Sequence, residues 1–262
     1  MIDIENAKKV YAEYIQNYDP TNGKIQLKIV HIYHVAEISR EIAIELKLNE
    51  EQIHLAELIG LLHDIGRFEQ IRRYNTFLDN KSENHAVLGV KVLFDEGLIE
   101  KFVEDRKYDN IIKTAILNHN KNRIEEGLDN ETLLFCKIIR DADKMDIFRV
   151  ALTDAIEDVY ESANISNEFV SEKIFNQFVY DREINYSDRQ THADELVCQL
   201  AYIYDFNFDF CLKKVIENKY LEQMVERIDF KEEETRSKFS KMLEIANEFM
   251  YEKLGLEDNI RQ

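Results

Sequence analysis

Apolar residues recur at three-and-four spacing through most of the chain, the pattern of helices that each bury one face. The first such segment, residues 1 to about 19, stops at Asp19-Pro20-Thr21-Asn22-Gly23, the clearest break in the sequence. Further helices are predicted at about 25–48, 51–65, 83–96, 108–120 and 131–160, with polar connections between them. The stretch 66–82 reads as a long connection rich in basic and aromatic residues. From about 161 the pattern stays helical but acidic, with a loop at 181–192. The run Tyr202 to Phe210 alternates with period two, as a strand would. A lone strand has no partner, so a helix broken near Asn207, its aromatics turned into a core, is expected instead.

Composition supports the helical reading. One proline and seven glycines in 262 residues are too few breakers for a β-rich or α/β chain, which leaves an all-α bundle with additional C-terminal helices. The 45% hydrophobic content suffices for a sizeable core. Cys136, Cys198 and Cys211 lack paired spacing, which argues against a disulfide framework and against a thiolate zinc site. The N-terminus has no signal-like apolar core and no segment reaches membrane-spanning length, so a cytoplasmic protein without a membrane partner is expected. The net charge of −18 repels nucleic acid, and any phosphate must be held by a local cluster of cations.

The histidines supply candidate chemistry. His31 lies near the centre of the apolar stripe Leu27, Val35, Ile38 and Ile42, with His34 about 60° to one side. His63 closes the apolar helix containing Leu58, Ile59 and Leu62, with Gly66 placed as its C-terminal stop. His85 falls in a first turn after Ser82, a candidate N-cap, and His119 follows Ile112, Ala115 and Ile116 at a helix end. Four helices thus each turn an imidazole toward the core. Burying four imidazoles without a common purpose is costly, and one shared metal centre accounts for all of them. His54 and His192 sit among charged neighbours and read as surface residues. Asp64 beside His63 can converge on the same centre at a helix end, and a two-oxygen carboxylate suits a bridge between cations. Asp141, Asp143 and Asp146 are further carboxylates on the helix after His119, and periodicity does not choose among them.

The series His31, His63-Asp64 and Ala142-Asp143 resembles the HD superfamily of metal-dependent phosphohydrolases, whose signature is H…HD…D on an all-α bundle, over residues 25 to 150. The resemblance selects His31 over His34 by the Val35-Ala36 pair, and Asp143 by the alanine before it, with Asp141 in reserve. Asn84-His85-Ala86 and Asn118-His119 resemble the extra histidines of the binuclear branch. The resemblance implies His31, His63, Asp64 and Asp143 on one metal, with His85 and His119 on a second that Asp64 bridges. Two divalent transition-metal ions per chain (Mn, Fe, Co, Ni or Zn) are then expected. It also implies a division into an N-terminal helix and linker (1–24), the HD domain (25–160) and a helical extension packed on it (161–262). No HHE…GYP stretch follows His119, and Arg67 and Phe68 stand where single-metal members carry a glutamate, so cyclic-dinucleotide and mononuclear activities are disfavoured.

The expected reaction is hydrolysis of a phosphate ester or phosphoanhydride, through a hydroxide bridging the metals, on a nucleotide or other small phosphorylated substrate. Asp64 would carry the metals, and Arg67 is the first candidate for the phosphate oxygens, Lys144 the second. Arg72, Arg73 and Lys81 would extend the substrate site if the 66–82 loop forms a lid; a solvated surface loop with its aromatics tucked into the core is the equal alternative. The same ligands would serve a mixed-valent di-iron oxygenase, which oxygen dependence would reveal, or a nucleotide-sensing module, which would bind without turnover. A homodimer is compatible with the C-terminal helices.

Overall fold

A computed structural model describes residues 2–160, 162 and 164–256. The fold is all-α, with no strand among the described residues. Two compact units divide the chain, residues 1–146 and 147–262. The expected segment 1–24 lies within the first unit, and the boundary expected at 160/161 adjoins residue 161, outside the described residues. No helix among the described residues is long and apolar enough to cross a membrane.

The first unit begins with α1 (Ile4–Ile15), capped by the Asp3 side chain on Asn6 N–H. Helices α2 (Gly23–Glu45) and α3 (Glu50–Leu62) are joined by a short turn and packed along each other. Asn22 caps α2, and Asn49 with Gln52 forms a capping box on α3. Their close approach depends on Gly60: a Cβ there would stand 2.7 Å from Ala36 Cα and 2.9 Å from the Val35 carbonyl oxygen.

After α3 the chain makes one turn at 63–65 and re-enters helix as α4 (Gly66–Tyr74). Two expectations are corrected here. Gly66 starts a helix rather than ending one, and most of 66–82 is α4 and a 3-10 turn (Asp79–Lys81), not an open connection. The reason for the glycine is tertiary. A Cβ on Gly66 would strike the His85 carbonyl oxygen and lie 2.5 Å from Gly89 N, where α4 crosses α5 (His85–Val90). Phe68 on α4 is fully buried against Tyr11, Tyr14 and Tyr18, an edge-packed aromatic core under α1.

Asn84, not Ser82, caps α5, accepting from Ala86 N and Val87 N. The helix continues as a π turn to Asp95, followed by α6 (Ile99–Phe102) and α7 (Asp109–His119). The long α8 (Asn130–Thr153) contributes Phe135, Ile138, Ile139 and Ala142 to the core.

The second unit contains α9 (Ile156–Tyr160), α10 (Glu172–Asn176), α11 (His192–Leu200), α12 (Asp209–Glu217), α13 (Tyr220–Glu226) and α14 (Glu233–Leu254). Residues 201–205 form a 3-10 helix and α12 follows after a break, so the alternating run is broken helix as expected, with Ile203 and Phe206 buried. His192 is half-buried and bound to Glu168 at 2.8 Å, and His54 is half-buried on the Ile2 carbonyl at 3.1 Å; neither is a free surface residue.

Candidate metal centre

Six predicted side chains meet inside the first unit. His31 comes from the middle of α2, His63 and Asp64 from the turn after α3, His85 from the first turn of α5, His119 from the last residue of α7, and Asp143 from α8. The four histidines and Asp64 are buried, while Asp143 keeps 18% of its side chain exposed.

Asp64 stands at the centre, and its two oxygens face different partners. Oδ2 lies 3.8 Å from both His31 Nε2 and His63 Nε2. Oδ1 lies 3.3 Å from His85 Nε2 and 3.7 Å from His119 Nε2. Asp143 Oδ1 completes the first side, 3.1 Å from His31 Nε2 and 3.8 Å from His63 Nε2. These donors fall into the overlapping triplets His31/His63/Asp64, His63/His119/Asp143 and Asp64/His85/His119, each close enough to share one ion.

The outer nitrogens fix how the rings are protonated. His31 Nδ1 meets Asp146 Oδ2 at 2.7 Å and His85 Nδ1 meets Asp79 Oδ2 at 2.8 Å. His63 Nδ1 meets the Gly60 carbonyl at 2.7 Å and His119 Nδ1 the Ile116 carbonyl at 2.6 Å. All four partners are acceptors, so each Nδ1 carries the proton and donates. In the neutral ring each Nε2 then presents a lone pair to the centre, the arrangement that outer partners impose on metal-binding histidines.

This convergence leaves donors without protein partners. His63 Nε2 and Asp64 Oδ1 are buried with no hydrogen-bond partner, and His85 Nε2 faces His119 Nε2 at 3.0 Å. Two lone pairs at that separation repel unless a cation lies between them. Protonation is disfavoured, because burial lowers the pKa of His85 to about 4 and that of His63 to about 3. Nitrogen and carboxylate donors of this kind suit a divalent transition metal. The residues present fit such an ion.

The carboxylates remain charged. Burial opposes ionisation of Asp64, but Lys28, His63 and Arg67 outweigh it and hold its pKa well below the usual range. Asp143 is likewise depressed against its burial, by His31 and His63. For Asp79, burial is outweighed by the hydrogen bond and charge of His85, which bring it to about 2. His31 is the exception among the histidines. Burial and Lys28 disfavour its charged form, yet Asp143 and Asp146 raise its pKa overall.

Of the predicted cations, Arg67 reaches the cluster, with Nε 3.6 Å from Asp64 Oδ1 and Nη1 bound to Gln70, Asp79 and the Phe77 carbonyl. Lys144 is buried on α8 beside Asp143 in sequence. Arg72 and Arg73 are placed elsewhere: one and the same oxygen of buried Glu69 accepts from both at 2.7 Å, because a carboxylate 2% exposed on α4 requires charge one turn away. Lys81 is exposed on the 3-10 turn.

Three relevant residues, Lys28, Asp79 and Arg140, escaped the sequence reading, and a fourth, Asp146, is one of the three carboxylates among which periodicity does not choose. Lys28 donates to Asp64 Oδ2 at 2.6 Å, and its position one turn before His31 on α2 was the available signal. Asp79 and Asp146 orient His85 and His31. Buried Arg140 donates to the carbonyls of Asn118 (3.0 Å), His119 (3.5 Å), Lys121 and Asn122 (3.1 Å), fastening the end of α7 that carries His119.

A family model described as HD domain matches residues 29–147, a span that contains all six clustered residues. Neither the curated proteins nor the solved structures gave a match to the chain.

Proposed function

We propose, from the HD domain match over residues 29–147, that the chain belongs to the superfamily of metal-dependent phosphohydrolases and hydrolyses a phosphate ester or phosphoanhydride of a small phosphorylated substrate, nucleotides included. The observation that carries this reading is the convergence of four Nε2 atoms on the two oxygens of one buried carboxylate, each ring locked by an acceptor on Nδ1. His31, His63, Asp143 and Asp64 Oδ2 would hold one divalent ion; His85, His119 and Asp64 Oδ1 would hold the other. Bound there, such ions supply Lewis-acid polarisation of a phosphoryl oxygen and a lowered pKa for water.

The chain's own residues do the rest. Asp79, Asp146 and the Gly60 and Ile116 carbonyls keep the imidazoles aimed, so no reorganisation accompanies the reaction. Arg67, held by Gln70, Asp79 and the Phe77 carbonyl, presents a guanidinium beside Asp64, where it can bind a phosphate oxygen. Lys144, buried next to Asp143 on α8, would be the second cation. Hydrolysis joins a water oxygen to phosphorus and breaks the bond to the leaving oxygen, which takes up a proton from that water. Elemental analysis of the purified protein, paired with phosphate release under strictly anaerobic conditions, tests the reading. Close to two transition-metal ions per chain with anaerobic turnover is expected. Turnover that required oxygen and reductant would overturn it.

A further inference from the structure

Three cations share one aromatic ring at the edge of the cluster. Lys28 Nζ and Lys24 Nζ each lie 5.9 Å from the centroid of Phe77, and Arg67 Cζ lies 5.5 Å from it. Phe77 is half-buried just after α4, and its carbonyl accepts from Arg67 Nη1 at 2.6 Å, so ring and guanidinium are fixed together. Such a gathering of positive charge stands out in a protein with a net charge of −18.

The cations are also ordered. Lys24, Lys28 and His31 are spaced four and three residues apart on α2, which places them on one face within about 60° of arc. His31 points into the cluster, Lys28 touches Asp64 Oδ2, and Lys24 is exposed one turn further out. On the other flank Arg67 Nε approaches Asp64 Oδ1 and, though buried, has no hydrogen-bond partner. A phosphate approaching Asp64 therefore meets Lys28 on one side and Arg67 on the other. Anything bonded to that phosphate and directed outward along α2 passes Lys24.

We infer that Lys28 and Lys24 extend the Arg67 site into a phosphate-binding stripe, and that the substrate class is one with at least two linked phosphates. Lys28 and Arg67 hold the phosphate at the cluster; Lys24 holds the next one. The Phe77 ring face keeps the three side chains converged through cation–π attraction. This rests on the proposed hydrolase reading, which left the substrate class open.

The test is equilibrium binding of methylphosphonate and of methylenediphosphonate, which resists hydrolysis, to the full chain supplied with manganese, with metal content measured before and after. The wild type is expected to prefer the diphosphonate. Lys24→Gln should remove that preference, lowering diphosphonate affinity about tenfold and leaving methylphosphonate affinity in place, since one charge-assisted contact is lost. Lys24→Arg should restore the preference. Lys28→Gln should weaken both ligands about tenfold while retaining the metal. Equal affinities in the wild type, or a preference that survives Lys24→Gln, would overturn the stripe, as would loss of metal in Lys28→Gln. A wild type that takes up no metal yet loses its preference in Lys24→Gln would keep the stripe and reject the hydrolase.

Discussion

Each unit of the protein buries an aspartate, and the two are handled in opposite ways. Asp194, at the start of α11 in the second unit, is fully buried and accepts from the backbone N–H groups of Ser171 at 2.8 Å and Gln190 at 2.9 Å. Those donors are fixed by the fold, and the carboxylate ties two chain segments together. Asp64 in the first unit is equally buried, but it is surrounded by side chains, and its Oδ1 has no hydrogen-bond donor. Four imidazole Nε2 atoms surround its two oxygens, and the Lys28 ammonium donates to Oδ2 alone. Burial of charge alone therefore does not mark a reactive centre. What distinguishes one is a set of acceptors that satisfy each other only when a cation is added.

The largest test of this contrast is a pair of substitutions. Asp64→Asn should leave the protein folded but abolish both metal retention and hydrolysis, because it removes the charge shared by both histidine pairs. Asp194→Ala should do the reverse. Metal content stays at the wild-type level, while the buried Ser171 N–H and the part-buried Gln190 N–H lose their acceptor and stability falls by about 1–3 kcal/mol in urea titrations. If Asp194→Ala lost the metal and Asp64→Asn kept it, the distinction would be wrong.

Smaller effects are expected one step out from the histidines. Asp79→Ala and Asp146→Ala remove the acceptors from His85 and His31, and each should weaken metal affinity by about 10–100-fold without eliminating it. A chelator competition assay reads this directly, and unchanged affinity in both would show that the rings are held by packing alone. Gly66→Ala should destabilise the fold by about 1–3 kcal/mol, since the new methyl would meet backbone on α5 that has no flexible end to move aside. The accompanying shift of His85 should also lower metal affinity.

The smallest effect is a silence. Cys136, Cys198 and Cys211 are buried, and burial pushes the Cys136 and Cys198 thiols up to about 12. At pH 8 all three should ignore a thiol reagent until urea unfolds the chain, when all should react. Rapid labelling of the folded protein would contradict that burial.

Much of this is legible in the amino-acid sequence alone. A histidine on the apolar face of each of four helices is a local pattern, and helical periodicity with few breakers was enough for the all-α class. The errors share a cause. Gly66 has the sequence context of a helix stop, but its purpose is set by backbone from residues 85 and 89, which periodicity does not see. Arg72 and Arg73 look available beside aromatic residues until Glu69 proves to be buried one turn away. Lys28 and Asp79 were missed, and periodicity does not separate Asp146 from Asp141 and Asp143, because an ammonium or carboxylate on a solvated helix looks the same in sequence as one aimed inward. Only the tertiary pairing with Asp64, His85 and His31 separates them.

Arg140 has a wider effect than the four carbonyls it gathers. It lies one turn before Asp143 on α8, so a single rigid rod sets the position of one carboxylate directly and of His119 through the guanidinium. The spacing between two groups far apart in sequence is thereby written into one helical turn of about 5 Å. If α8 slides or rotates, Asp143 and His119 travel together, and the cluster opens or closes as a whole rather than one ligand at a time.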